Sequence, residues 1–297
     1  MKKTNPSEKV ARTRERTKDN ATTSAYRVSD ALWAVLEPLI PKHVNTHRYG
    51  DGRPRVSDRQ CADGIFYVLR TGSQWNALRE TTLCASSTAH DRFQEWVAAG
   101  VFERLWAVGL ERFDEWVGVD WEWMSMDGAM SKAPLGGKKT GPNPSERGKQ
   151  GVKRSMLVDG HGVPLAVSID SANRQAMKLV APTVEALVLA RPTDDVWQGI
   201  CLDKGYDYQA VRDFFGSLTI VTHIRSRGEE KKAIANLPGY RARRWVVERL
   251  HSWMNRLRRL LIRWEKKSAN YLAFVQFACA LIAFRAAGLF GSVEFKR

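Results

Sequence analysis

Acidic residues are in short supply: 32 Asp and Glu stand against 47 Lys and Arg, a formal net charge of +15. That balance argues against a cationic partner and points to a polyanion, either nucleic acid or an anionic membrane surface. A charge kept only for solubility would not need to be clustered, and this one is. Cysteine is scarce as well. Cys61, Cys84, Cys201 and Cys279 include no Cys-x-x-Cys pair and have no His at zinc spacing. A zinc module and a disulfide framework are thereby set aside, and a reducing cytoplasm is the expected compartment. No Walker-type Gly-x4-Gly-Lys-Ser/Thr string is present, so nucleotide cradling is not indicated. No repeat of 20–50 residues occurs. The basic N-terminus lacks a following apolar run, so no signal peptide is read. The most apolar stretch, Tyr271–Phe290, contains Gln276 and Arg285. It reads as a buried helix rather than a membrane span.

Hydrophobic residues are not lacking: they make up 43% of 297 residues, enough for a sizeable core. Residues 1–25 carry seven Lys or Arg and few apolar side chains. They are expected to form a flexible basic tail. Residues 26–115 read as a small all-α, helix-turn-helix-like DNA-binding domain. Ser29-Asp30 caps a helix through Leu36, and Ser57 or Asp58 opens a second that Thr71-Gly72 closes. Ser86-Ser87-Thr88 opens a third, with Phe93, Trp96 and Val97 as its apolar stripe, and a fourth follows Gly100. Residues 116–290 read as an α/β catalytic domain. Strands are expected at Val119–Met126, Ser155–Val158, Val163–Ile169, Val196–Leu202 and Leu218–Ile224. Helices are expected at Ala176–Ala190, Tyr208–Phe215, 241–266 and 269–287.

Three carboxylates stand out. Asp127 and Asp203 each follow an expected strand, where a side chain is held beside a crevice. Two such groups can bind divalent metal as hard oxygen ligands, or each can simply cap the next turn. Glu248 lies on the helix whose stripe is Val246, Leu250, Trp253, Leu257, Leu261 and Trp264. At 100° per residue it falls about 200° from Val246, on the polar face with Arg241, Arg244, Asn255 and Arg259. Residues 240–267 hold ten Lys or Arg and two acidic residues. That surplus suits arginines that hold phosphates around one carboxylate, although a solvated helix face would also accommodate it. Seven basic residues and one acid lie between 128 and 155, among them Lys132, Lys138, Lys139 and Lys149. They suit phosphate-backbone contact, unless the segment is only a mobile surface loop. Ser87, Thr88, His90 and Gln94 lie off the stripe of the third helix and are free to reach base edges.

Three segments carry a resemblance: Asp127-Gly128-Ala129-Met130-Ser131-Lys132-Ala133, Leu202-Asp203-Lys204-Gly205-Tyr206-Asp207 and Arg244-Trp245-Val246-Val247-Glu248-Arg249. In order, they resemble the three motifs of DDE transposases of bacterial insertion sequences, in the group called the IS five family. Asp159-Gly160-His161-Gly162-Val163-Pro164-Leu165 resembles the hairpin of that family, and Leu69-Arg70-Thr71-Gly72-Ser73-Gln74-Trp75 its N-terminal domain. The resemblance implies a ribonuclease-H-like mixed sheet with flanking helices. It makes Asp127, Asp203 and Glu248 catalytic residues and metal ligands, and Arg244 the signature arginine. It also implies Mg2+, with Mn2+ as the alternative ion. The partners would be double-stranded DNA, as terminal inverted repeats and target, with a homodimer forming on DNA and no membrane. A nuclease on the same fold without strand transfer, or a DNA-binding regulator, remains an alternative.

Overall fold

Local capping decides the first elements. Ser29 Oγ accepts the Leu32 N–H at 3.2 Å and starts α1 (Asp30–Leu36). Ser57 Oγ accepts the Gln60 N–H at 3.3 Å and starts α2 (Asp58–Thr71). Gly72 ends α2 at φ 71°, a left-handed geometry that glycine enters without a Cβ clash. Next come α3 (Ser86–Ala98) and α4 (Val101–Trp116). These positions come from a computed structural model that describes residues 25–44, 54–193, 195–224, 232, 235–236 and 245–289. The basic tail expected at 1–25 falls almost wholly outside the described residues.

The sheet follows. Its strands are β1 (Met124–Lys132), β2 (Gly141–Pro142), β3 (Gln150–Val158), β4 (Pro164–Ser171), β5 (Gln198–Leu202) and β6 (Ile220–Ile224). On one side β3 pairs antiparallel with β1; on the other it pairs with β4 and the short β2. On the far side of β1, β5 and β6 are added in parallel. An antiparallel meander with two parallel strands laid against its first strand is the ribonuclease-H-like order, in a mixed α/β fold behind a helical N-terminal region. Between β4 and β5 lies α5 (Val180–Glu185), and between β5 and β6 lies α6 (Gln209–Ser217). The chain continues through α7 (Trp245–Met254) and α8 (Ser268–Ala286).

Several boundaries differ from the sequence reading, for identifiable reasons. Trp121–Trp123 forms a 3-10 turn, and the first strand starts at Met124 and runs on to Lys132. Asp127 therefore sits within β1 rather than after it. The helix expected at Ala176–Ala190 shrinks to a 3-10 turn plus the six residues of α5, because Leu187 makes a bridge to Ala166 of β4. The helix expected over 241–266 is described only as Trp245–Met254. Leu257 is extended (φ −86°, ψ 92°), and Ile262 bridges to Lys132. Apolar spacing persists to Trp264, yet Leu261 and Trp264 are 45% and 40% exposed, so no buried stripe continues there.

α8 is buried around most of its circumference, as a core helix is. It is long and apolar enough to cross a membrane, but its length is mostly covered by the rest of the chain. α4 runs against it. A Cβ on Gly109 would lie 3.3 Å from Ala283 and Phe284, so the two backbones approach at that point. Phe93 of α3 stacks on Phe274 at 4.5 Å, and Trp106 Nε1 donates to the Pro164 carbonyl at 3.0 Å. Helical region and sheet thus share one buried cluster, from Val28 to Ala287.

Candidate active site

The pairing of β1 with β5 covers Met124↔Ile200 and Ser125↔Cys201 and then stops. Asp127 and Asp203 are each two residues further on. They stand level where two parallel neighbours diverge, at the carboxyl end of β5, a position at which α/β sheets hold reactive groups. β1 continues on its other side, where Asp127 faces Met156 and Ala129 faces Arg154. Strand alternation puts Asp127 on the same face as Arg154. That face is the one α7 covers, since Arg154 Nη2 donates to Asn255 Oδ1 at 3.4 Å, just past the end of α7.

α7 packs on β1 and β3 through Val246, Val247, Leu250 and Met254. His251 is buried beside the main chain of Asp127. Glu248 lies one turn earlier, in the first turn of α7, and is exposed. The placement opposite Val246, read from the periodicity, matches: Val246 is buried and Glu248 is not. Two aspartates are thus set side by side, and the glutamate belongs to the helix laid over the same face. Among the described residues, no three His, Cys, Asp or Glu side chains are gathered so that they could hold a metal ion, so Asp127, Asp203 and Glu248 are not brought together as one such group. Both aspartates engage neighbouring backbone: Asp127 Oδ1 accepts from Gly128 N at 2.7 Å, and Asp203 Oδ1 from Gly205 N at 2.8 Å.

The electrostatics mark where negative charge collects. The Tyr206 hydroxyl is buried, with no hydrogen-bond partner among the described residues. Burial first, then the charges of Asp127 and Asp203, hold that phenol far above its usual range. Asp127 and Asp203 both lie within electrostatic reach of that phenol. Lys153 borders it, since a Cβ on Gly128 would meet Lys153 Cδ at 3.4 Å and Tyr206 Oη at 3.8 Å. Burial lowers the Lys153 ammonium and the charge of Asp127 opposes that; its Nζ donates to the Arg174 carbonyl. On the α7 side, burial and then Arg154 push His251 down to about 3, against the Asp127 main chain, so the imidazole is neutral at pH 7. The sequence reading missed Tyr206, Lys153 and His251 as parts of the site. Tyr206 was within a quoted motif; Lys153 and His251 become visible only through strand register and helix packing.

The expected DNA-binding residues are spread over two surfaces. On α3, Ser87 is exposed, while Thr88, His90 and Gln94 are half-buried. His90 meets Trp75 edge-on at 5.2 Å, and Gln94 Oε1 accepts from Lys267 Nζ at 3.2 Å. Lys132, Lys138, Lys139 and Lys149 are exposed, and Lys132 pairs with Glu146 at 3.3 Å. Arg241 and Arg244 lie outside the described residues. Arg259 requires a correction. Instead of joining a polar face, it is 5% exposed and binds Glu265 Oε1 at 2.6 Å and the Ser73 carbonyl at 2.9 Å. Glu265 is equally buried, so it serves as a structural partner for Arg259.

The sheet order is ribonuclease-H-like, with Asp127 and Asp203 at neighbouring strands. The family described as "Transposase DDE domain" matches residues 123–283, more than half of the chain, and the chain belongs to that family. It is therefore a transposase of the DDE class. Residues 28–106 match the family described as "Putative transposase of IS4/5 family". A putative transposase for insertion sequence element IS402 of Burkholderia cepacia is 32% identical over 160 residues, 50% of this chain and 69% of that protein. The insertion element IS402 uncharacterized 16.2 kDa protein, also of Burkholderia cepacia, is 33% identical over 118 residues, 39% of this chain and 80% of that protein. Among solved structures, the catalytic domain of Mos1 mariner transposase overlaps with a TM-score of 0.27 and 10% identity, over 64% of this chain and 93% of that one. A pre-cleavage Mos1 transpososome overlaps with a TM-score of 0.28 and 12% identity, over 84% of each chain. Overlays this loose carry no argument, and the fold rests on the strand order.

Proposed function

We propose that this chain binds the terminal inverted repeats of an insertion sequence and, with a divalent ion, cuts and joins DNA through Asp127, Asp203 and Glu248. The observation that carries the reading is the level placement of Asp127 and Asp203 at diverging parallel strands, beneath the helix that bears Glu248. The donor set fits a hard divalent cation. Carboxylate oxygens are the ligands Mg2+ and Mn2+ take, and Asp127 and Asp203 stand at neighbouring parallel strands. Bound there, the ion supplies Lewis-acid stabilisation of charge on the scissile phosphodiester and its attacking oxygen.

The chain's own groups do the rest. Asp127 and Asp203 hold the metal, and Glu248 completes the set from α7. Tyr206 and Lys153 shape the floor of the site. Lys132, Lys138, Lys139 and Lys149 hold target or repeat phosphates without reading sequence. Arg241 and Arg244 belong to the same basic surroundings by sequence. Ser87, Thr88, His90 and Gln94 of α3 read the repeat in a major groove. The DNA-bound form is a homodimer, and it works in the cytoplasm on the nucleoid.

The test is cleavage and strand transfer on duplexes that carry the inverted repeats flanking the element, with and without Mg2+. Asp127→Ala, Asp203→Ala and Glu248→Ala should each abolish both steps and leave Kd for repeat DNA within about threefold, since a lost carboxylate removes a metal ligand and no phosphate contact. Appreciable Mg2+-dependent cutting by Glu248→Ala would remove Glu248 from the site. Cutting without any joined product would favour the nuclease alternative.

A further inference from the structure

Residues 257–267 join the two surfaces assigned to DNA. At one end, Arg258 lies on the turn after α2: a Cβ on Gly72 would come within 3.0 Å of the Arg258 main chain and Cβ. Arg259 fastens the same turn through the Ser73 carbonyl at 2.9 Å. At the other end, Arg263 is 1% exposed and binds the carbonyls of Glu265 (2.8 Å), Lys138 (2.7 Å), Lys139 (3.3 Å) and Lys266 (3.2 Å). Its own N–H donates to the Lys132 carbonyl at 2.8 Å. Gly137 abuts the Lys266 carbonyl so closely that no Cβ fits there. A buried guanidinium that spends its donors on backbone carbonyls fixes two loops against each other. The arginines inside are therefore structural, and the cations left outside are held in place by them.

Those outer cations are Arg258, Lys266 and Lys267, all exposed. Lys266 adjoins Lys138 and Lys139 across the Arg263 clamp. Lys267 reaches α3 and donates to Gln94 Oε1. Glu265, the one acid in this segment, is buried against Arg259 and contributes no exposed negative charge. Asp91, on α3, is an exposed acid beside His90. A rigid row of cations thus runs from the α2 turn, past Gln94 of α3, to the basic loop beside β1.

We infer that Arg258, Lys266 and Lys267 form a phosphate-binding strip along which one DNA duplex spans α3 and the 138–139 loop of the same chain. The inference rests on the proposed DNA-binding function and deepens it. Phosphate contacts fix register and carry no base information, so the strip sets how far the cut lies from the base pairs that α3 reads.

The experiment uses the full chain with Arg258→Gln, Lys266→Gln and Lys267→Gln combined, and with Lys267→Gln alone. Kd for duplex DNA is measured across salt concentrations, together with hydroxyl-radical footprints on repeat DNA and Mg2+-dependent cleavage. Each lost phosphate contact removes about 0.9 from the slope of log K against log salt, so the triple variant should fall by about 2.7 and the single variant by about 0.9. Protection should vanish between the read base pairs and the cleavage point, with equal weakening on scrambled DNA and an unchanged far-UV spectrum. Unchanged slope and footprint in a wild-type background that cuts repeat DNA would overturn the strip and leave the proposed function standing. The expected slope change in the variants, with a wild-type chain that binds DNA but cuts nothing, would keep the strip and remove the proposed function. A wild-type chain that binds no duplex DNA overturns both.

Discussion

Arg259 and Glu265 show how one residue can carry the wrong meaning in sequence. Arg259 reads as a member of the polar helix face that carries Glu248, and Glu265 follows it on the same stretch of chain. Their side chains are 6% and 4% exposed and meet at 2.6 Å. Removing one partner of a buried ion pair leaves the other charge stranded, at a cost of about 3–5 kcal/mol. Glu265→Ala should therefore lower the urea midpoint steeply. Arg259→Met combined with Glu265→Leu should recover much of that loss, since neither charge then stays buried alone. Equal stability of wild type and Glu265→Ala would mean the pair contributes nothing. The place of Asp203 just past β5 was legible, because a strand-end carboxylate has a local sequence signature, whereas Asp127 was read as following its strand and lies within β1. The burial of Arg259 was not, because it depends on Ser73, a partner far away in the chain.

Among the elements, helices with local caps were legible and long-range pieces were not. Ser29, Ser57, Gly72 and Gly100 each mark a helix boundary by side-chain capping or positive φ, and the structure keeps all four. Ser86 is instructive in the other direction. It begins α3 as expected, but its hydroxyl turns to Asn76 Oδ1 at 3.4 Å and Ala85 takes the cap position. The break after Met254 had no breaker residue to announce it. It follows from Ile262 pairing with Lys132 and from Arg263 taking up four carbonyls, both tertiary effects. That same clamp holds the basic loop, which tests the loop as an element. Lys138→Ala, Lys139→Ala and Lys149→Ala together remove three exposed charges while the carbonyls that Arg263 binds remain. The slope of log K against log salt should fall by about 2.7 for repeat and scrambled duplexes alike. An unchanged slope would take this loop off the DNA path, with the clamp and the fold untouched.

Taken whole, the molecule joins its helical N-terminal region to its sheet through one buried cluster. Patterning of the sequence changes near residue 116, from helical to strand-like, and invites a boundary there. The structure lays α4 along α8 and stacks Phe93 on Phe274, so helices from either side of that boundary bury each other. Phe102 and Phe277 meet in that seam with ring centroids 5.3 Å apart, both 1% exposed. Each such side chain contributes roughly 1.5–3 kcal/mol through burial, which neither region would retain if it folded alone. Chains of this length commonly unfold through intermediates, domain by domain, so a single transition is a demanding expectation. It is nevertheless the expected one. Urea unfolding followed by far-UV circular dichroism and by fluorescence should give coincident curves, because the tryptophans lie on both sides of the apparent boundary, at Trp75, Trp96 and Trp106 and again at Trp123, Trp197 and Trp253. Phe277→Ala, made in α8, should lower the common midpoint by the equivalent of about 3–5 kcal/mol and shift both signals together. Two separated transitions, with only the later one moved by Phe277→Ala, would favour two independent domains and make a 26–115 fragment a fair object for end-recognition experiments.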